Sequence, residues 1–167
     1  MVLHGARLLL RPFTEADLDP ILAILAEPEV ARWWGEYDRA KARGEFLDDP
    51  QVEALAIEID GAVAGVIEIV EEDEPDYRHA SLDIALATSH HDRGLGREAL
   101  RVVIDHLVDG RGHHRVTIDP RADNARAIAC YAAVGFKPVG VMRQYERETT
   151  GTWQDALLMD LLADDRL

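Results

Sequence analysis

Three features of this chain set residues where chemistry can be done: a glycine pair between arginines, a carboxylate inside an apolar run, and a tyrosine two helical turns after an asparagine. Residues 90–100 read HHDRGLGREAL, with Gly94 and Gly96 flanked by Arg93 and Arg97. The alternating run HASLDIALA ends just before the pair, and a helical pattern follows it. The first amides of a helix lack partners and its dipole favours an anion, while glycines let a phosphate come close. The backbone from about Arg93 through Leu95 to Arg97 is therefore a candidate cradle for a pyrophosphate. It is not a dinucleotide fingerprint, because Ala99 stands where the third glycine of G-x-G-x-x-G belongs, and no G-K-[ST] follows for a P-loop.

Asp83 lies within SLDIALA and shares a face with Ser81 and Ala85. A strand disfavours a carboxylate that has neither partner nor task, so Asp83 is the preferred general base, against the reading of an edge aspartate facing solvent. Asp119 ends HRVTID and precedes Pro120; strand ends in α/β sheets face ligand crevices, though an Asp-Pro pair also simply turns a chain. Tyr131 follows Asn124 by two turns, so both can face one groove. Trp33 and Trp34, with Gly35, Glu36 and Asp38, offer an aromatic face and carboxylates to a cationic ring, at least one of the tryptophans being core. The acidic stretch Glu71 to Asp76 reads as a solvated loop or a rim that attracts cations.

The seven histidines show no H-x-x-x-H spacing, and no metal is expected. Cys130 is the single cysteine, which excludes an intrachain disulfide and reads as an inert buried thiol in a reducing compartment. Eighteen Lys and Arg against thirty-two Asp and Glu give a formal charge of −14. That field opposes nucleic acid and anionic lipid and draws in cations, although acidity also serves solubility alone. The apolar run before Arg11 and Pro12 is too short for a signal or a membrane span, so a cytoplasmic protein is expected.

The elements that must hold these residues follow from period and punctuation. One domain over 1–167 is expected, with a first strand near Arg7 to Arg11. Thr14 opens a capping-box-like start to a helix that carries Leu18, Ile21, Leu22 and Leu25 on one face and stops near Pro28. A polar helix runs from about Arg39 to Leu47, and ALAIEIDGAVAGVIEIV is a hairpin turned at Asp60-Gly61. The strand with Asp83 leads into a helix from about Gly94 to Gly110, then the strand HRVTID. A helix capped by Asp123 or Asn124 and closed by Gly135 follows, then two strands joined at Thr150-Gly151. The class is α/β (α+β): a mixed sheet with helices packed on it.

HHDRGLGREAL together with DPRADNARAIACYAAVGFKPVG resembles the acetyl-CoA-binding core of the GNAT superfamily of N-acetyltransferases. The resemblance implies the GNAT fold, mostly antiparallel with helices on both faces, and acetyl-CoA as cosubstrate. The family pattern R/Q-x-x-G-x-G/A falls on His91 to Gly96, so the chain departs at its first position and His91 is counted near the cofactor without the usual Arg or Gln contact. On N-x-R-A-I-x-x-Y-x-x-x-G-F, the resemblance sets Asn124 and Ala127 along the cofactor and Tyr131 near the thioester sulfur, as proton donor to the leaving thiolate. WWG, Asp83 and Asp119-Pro120 are similar to the aminoglycoside 6′-N-acetyltransferase subgroup, implying a cationic small-molecule amine as acceptor. A polyamine, a siderophore-type lysine or a protein N-terminus is the alternative acceptor, and a non-catalytic acyl-CoA-binding module the alternative class. The closing strands of this fold often join dimers, which leaves a homodimer as an expectation.

Overall fold

The computed structural model describes residues 1–166. Its strands are β1 (Leu3–His4), β2 (Leu9–Pro12), β3 (Glu53–Ile59), β4 (Ala62–Glu72), β5 (His79–Leu86), β6 (Arg115–Ile118), β7 (Lys137–Arg147) and β8 (Trp153–Leu162). The helices are α1 (Leu18–Leu25), α2 (Pro28–Trp34), α3 (Arg39–Arg43), α4 (Leu95–Asp105) and α5 (Ala125–Val134). Together the strands form one sheet in the order β1-β2-β3-β4-β5-β6-β8-β7. Every neighbouring pair is antiparallel except β5 with β6, which are parallel.

Local chemistry accounts for most boundaries. Asp60 and Gly61 both take positive φ, 51° and 77°, as a tight turn between β3 and β4 requires. The Thr14 amide donates to Asp17 at 2.8 Å, forming the expected capping box ahead of α1. Asn124, not Asp123, caps α5 by accepting from the Ala127 amide. Pro28 differs from expectation: it ends α1 and also occupies the first turn of a separate helix, α2, because its missing N–H is no loss there. VARWWGEYD therefore begins as helix and turns at Gly35, where φ is 82°.

The central strands β3, β4 and β5 are largely buried on both faces, and residue size decides which helices each face receives. Leu55, Ile57, Ile67, Ile69 and Leu82 pack with Leu100, Val103 and Ile104 of α4 and with Tyr131 and Val134 of α5. The opposite face carries small residues, Ala54, Ala56 and Ala85, beneath Leu18, Ile21 and Leu25 of α1 and Phe46 after α3. At Gly65 the strands run so close that a β-carbon would lie 2.1 Å from the Ala85 carbonyl oxygen. Among the described residues no helix is long and apolar enough to cross a membrane.

One feature of the register creates the site. β5 and β6 pair only from Ala80↔Val116 to Leu82↔Ile118. Beyond that point the two parallel strands have no ladder between them, while β5 continues against β4 as far as Leu86↔Gly65. Asp83 and Asp119 are the next residues on either side of this split, on the face that bears the Ser81 to Thr117 hydroxyl contact.

Candidate active site

The split opens into a cavity of about 560 Å³. One group of walls comes from the loop into α4 and from α5: Gly94, Gly96, Arg97, Asn124, Arg126 and Ala127. A second group comes from the sheet and the α2–α3 arm: Trp33, Trp34, Tyr37, Glu45, Asp83, Asp119 and Glu146. Tyr131 of α5 also lines the cavity. The cavity carries Arg97 and Arg126 where α4 and α5 begin, Arg126 being partnered by Asp92 at 3.4 Å, and a surplus of carboxylates over the single Arg121 where the strands diverge.

Gly94 precedes α4 in the left-handed conformation, φ 75°, and no side chain caps the helix. The amides of Leu95, Gly96 and Arg97 are accordingly open to an anion, since the first intrahelical bond of the turn is Glu98 N–H to Gly94 O. The Leu95 side chain itself is buried in the core, so only its backbone can serve a ligand. Arg97 reaches the cavity; Arg93 is exposed beside His90 and is not part of the wall. His91 lies in the wall, and its Nε2 donates to the Leu86 carbonyl at 2.6 Å, tying the loop to the end of β5. Burial lowers its pKa, so it is a neutral brace and not a phosphate-binding cation. Asn124 has its carbonyl oxygen committed to the α5 cap, which leaves its amide group for the cavity.

The Asp83 side chain is exposed to the water-filled cavity, while the cleft walls around it make its charged form costly. Burial raises its pKa to about 7, the Ile84 amide opposing this and the negative charges of Asp119, Glu146 and Glu45 adding to it. Burial also raises Asp119, which accepts from the Tyr145 hydroxyl at 3.2 Å. A carboxylate whose proton affinity lies near neutrality is suited to take a proton from an ammonium and pass it on. The Tyr131 hydroxyl is held far above its ordinary pKa, first by burial and then by the charge of Asp83, so it keeps its proton and can donate it.

Several residues in this wall (Tyr37, Glu45 and Glu146) or beside it (Glu68 and Tyr145) were not anticipated. Glu68 of β4 lies directly opposite Asp83 and is 8 % exposed. Burial, then the charges of Glu45 and Asp83, push its pKa far up. The Tyr37 hydroxyl meets both Glu45 oxygens, at 2.9 and 3.0 Å. Glu146 and Tyr145 arrive from a kink in β7, where Gln144 takes φ 49° and donates its amide to Asp155. Glu68 had a legible signal, a lone carboxylate in the apolar run VIEIV; the others arrive through tertiary contact.

Two expected substrate residues are not brought to the cavity. Asp38 uses its carboxylate to cap α3, accepting from the Lys41 amide at 2.8 Å, and Glu36 is exposed on the turn beside it. Trp33 and Trp34 do line the cavity, but the Trp33 ring is already faced by the guanidinium groups of Arg32 and Arg121, at 4.6 and 5.1 Å. Trp34 packs against Tyr37. Among the described residues no group of three or more His, Cys, Asp or Glu is arranged to hold a metal ion.

A split parallel strand pair, an uncapped glycine-entered helix, and a buried tyrosine that lines the same cavity as a carboxylate are the parts a cofactor-dependent group-transfer site requires. The chain belongs to the acetyltransferase (GNAT) domain family, whose model matches residues 7–137. It is 38 % identical over 79 residues to a ribosomal protein bS18-alanine N-acetyltransferase of Escherichia coli K12, covering 47 % of this chain and 52 % of the relative, about half its length. It is 24 % identical over 156 residues to the spermidine N(1)-acetyltransferase of the same strain, covering 90 % and 83 %. Among solved structures it resembles Mycobacterium smegmatis RimJ in complex with CoA-disulfide, with 25 % identity, TM-score 0.83 and coverage of 98 % and 88 %. It also shares the fold of aminoglycoside acetyltransferase AAC(6')-Ib in complex with coenzyme A, at 22 % identity and TM-score 0.77, covering 95 % and 96 %.

Proposed function

We propose that this protein transfers the acetyl group of acetyl-CoA to a primary amine of a cationic small molecule of the aminoglycoside type, by direct attack in a ternary complex. The observation that carries the reading is the division of charge within one cavity. Arg97, Arg126 and the open amides of α4 suit a polyphosphate, while Glu45, Asp83, Asp119 and Glu146 suit an acceptor bearing several ammonium groups. These residues fit the cofactor: the left-handed Gly94 and the absence of a cap leave the helix start free for its phosphates.

Acetyl-CoA, when bound, supplies an activated thioester carbonyl. The protein does the rest by moving and holding protons. An alkylammonium with a pKa near 10.4 has almost no free amine at neutral pH, and Asp83 takes the proton that blocks attack. Asp119, steadied by Tyr145, holds an ammonium of the acceptor and keeps Asp83 basic through its charge. Tyr131 presents its proton for a departing thiolate. The reading includes a cytoplasmic enzyme and a homodimer joined through the closing strands, where Val139 and Val141 of β7 are 54 % and 57 % exposed.

A second reading, a polyamine acceptor, is favoured by the spermidine-acetylating relative, which aligns along most of this chain. Thiol release from acetyl-CoA with kanamycin-type aminoglycosides, spermidine and alanine-initiated peptides separates them. Saturable turnover with aminoglycosides supports the first reading, turnover confined to spermidine transfers the function to the second, and coenzyme binding with no acetylation of any amine sinks both.

A further inference from the structure

The loop that enters α4 is braced by a residue far from it in sequence. Arg7 lies in the turn between β1 and β2, and Glu98 in the first turn of α4. The Glu98 carboxylate accepts from the Arg7 backbone amide at 2.7 Å and from Arg7 Nε at 2.7 Å. Arg7 Nη1 then donates to the Arg93 carbonyl at 2.9 Å. Gly5 makes room for this arrangement, since a β-carbon there would stand 2.7 Å from a Glu98 oxygen.

Two consequences bear on anion binding. In a trans peptide the C=O and N–H point in opposite directions. Pinning the Arg93 carbonyl toward Arg7 therefore aims the Gly94 N–H away from Arg7, on the other side of the loop. Glu98 would otherwise set a bare negative charge in the first turn of the helix that is to receive phosphates. Burial alone would raise its pKa, but the Arg7 hydrogen bonds outweigh burial and hold it lowered, so it is ionised and neutralised by its partner. The guanidinium end also packs on Gly94, where a β-carbon would meet Nη2 at 3.4 Å.

We propose that Arg7 is a positioning residue for the phosphate end of the cofactor: it fixes the Arg93–Gly94 peptide and offsets the charge of Glu98, so that the start of α4 presents amides and no net negative charge to an incoming anion. This rests on the acetyl-CoA reading above. Lysine cannot replace it, because an ammonium lacks the planar fork that reaches a carboxylate and a carbonyl together.

Isothermal titration of coenzyme A into the native protein, Arg7→Ala and Arg7→Lys, paired with the KM for S-acetyl-pantetheine, which lacks the phosphates, tests this directly. Arg7→Ala is expected to weaken coenzyme A binding about tenfold and Arg7→Lys severalfold, with the pantetheine KM unchanged in both. Circular dichroism and thermal melts of each variant establish that it is folded at the titration temperature. Coenzyme A affinity within twofold of native in Arg7→Ala, or an equal loss for coenzyme A and the phosphate-free fragment, overturns the role of Arg7 while leaving the acetyltransferase reading intact. Failure of the native protein to bind coenzyme A overturns both.

Discussion

Asp83 is ionised only against resistance from its surroundings, and its replacement by asparagine tests that resistance. The cleft raises its pKa from 3.8 to about 7, mainly by burial and then by the charges of Asp119, Glu146 and Glu45. A raised folded pKa means that the fold holds this proton more tightly than the unfolded chain does. Wild-type stability from this group is therefore fully present below about pH 4 and is lost as pH rises to about 7, beyond which the loss is constant. Counted in full, the shift is worth about 4 kcal/mol. The carboxylate opens to water in the cavity, and that screening reduces the figure to about 1–2 kcal/mol. Asp83→Asn keeps the shape and removes the charge. It should match the native protein in stability near pH 4, exceed it by about 1–2 kcal/mol at pH 8, and melt roughly 2–8 °C higher there, while acetyl transfer falls at least about a hundredfold. Urea unfolding of both proteins from pH 4 to pH 8 reads the difference. A variant that is less stable at pH 8, or a gap that does not grow between pH 4 and 7, refutes the claim that Asp83 is a strained base.

Three further outcomes follow from the same geometry. Tyr131→Phe should lower kcat roughly 10²–10³-fold, as loss of a proton donor does, with the melting temperature nearly unchanged because the ring remains in the core; an unchanged kcat removes Tyr131 from the chemistry. Native kcat/KM should rise with pH and level off above about 7, following Asp83, and Asp119→Asn should move that limb to lower pH by removing a nearby negative charge, which a pH profile with a saturating cofactor reads. Gly65→Ala should cost more than about 3 kcal/mol in denaturant unfolding, because its β-carbon would meet backbone 2.1 Å away and not a side chain able to turn aside.

What could be read from the sequence was local in origin. Gly94, Asp60-Gly61, Asn124 and Gly135 each announce a turn or cap through a requirement of the backbone, and all do that work in the structure. Asp83 and Asp119 were legible because a carboxylate within or ending an apolar strand needs a reason, and the strand split supplies the place. Pro28 misleads because the same residue that ends one helix can start the next. Asp38 misleads for a similar reason: an aspartate before a helix is first of all a cap. Tyr37 and Glu45, Tyr145 and Glu146, and above all Arg7, 91 residues from the glutamate it pairs with, come to the site by tertiary packing. No spacing rule along the chain encodes such a meeting. Glu68 could have been found by the reasoning applied to Asp83, since both interrupt apolar strands and they face one another across the ladder.

The central claim is that one charge-divided cavity moves an acetyl group from a thioester to the amine of a cationic small molecule. A time course of thiol release from acetyl-CoA with kanamycin, with the acceptor followed by mass spectrometry in the same samples, tests it most directly. The account predicts one acetyl group on kanamycin for each thiol released, with both lost in Asp83→Asn. Thiol release without an acetylated acceptor, or undiminished acetylation by Asp83→Asn, contradicts it.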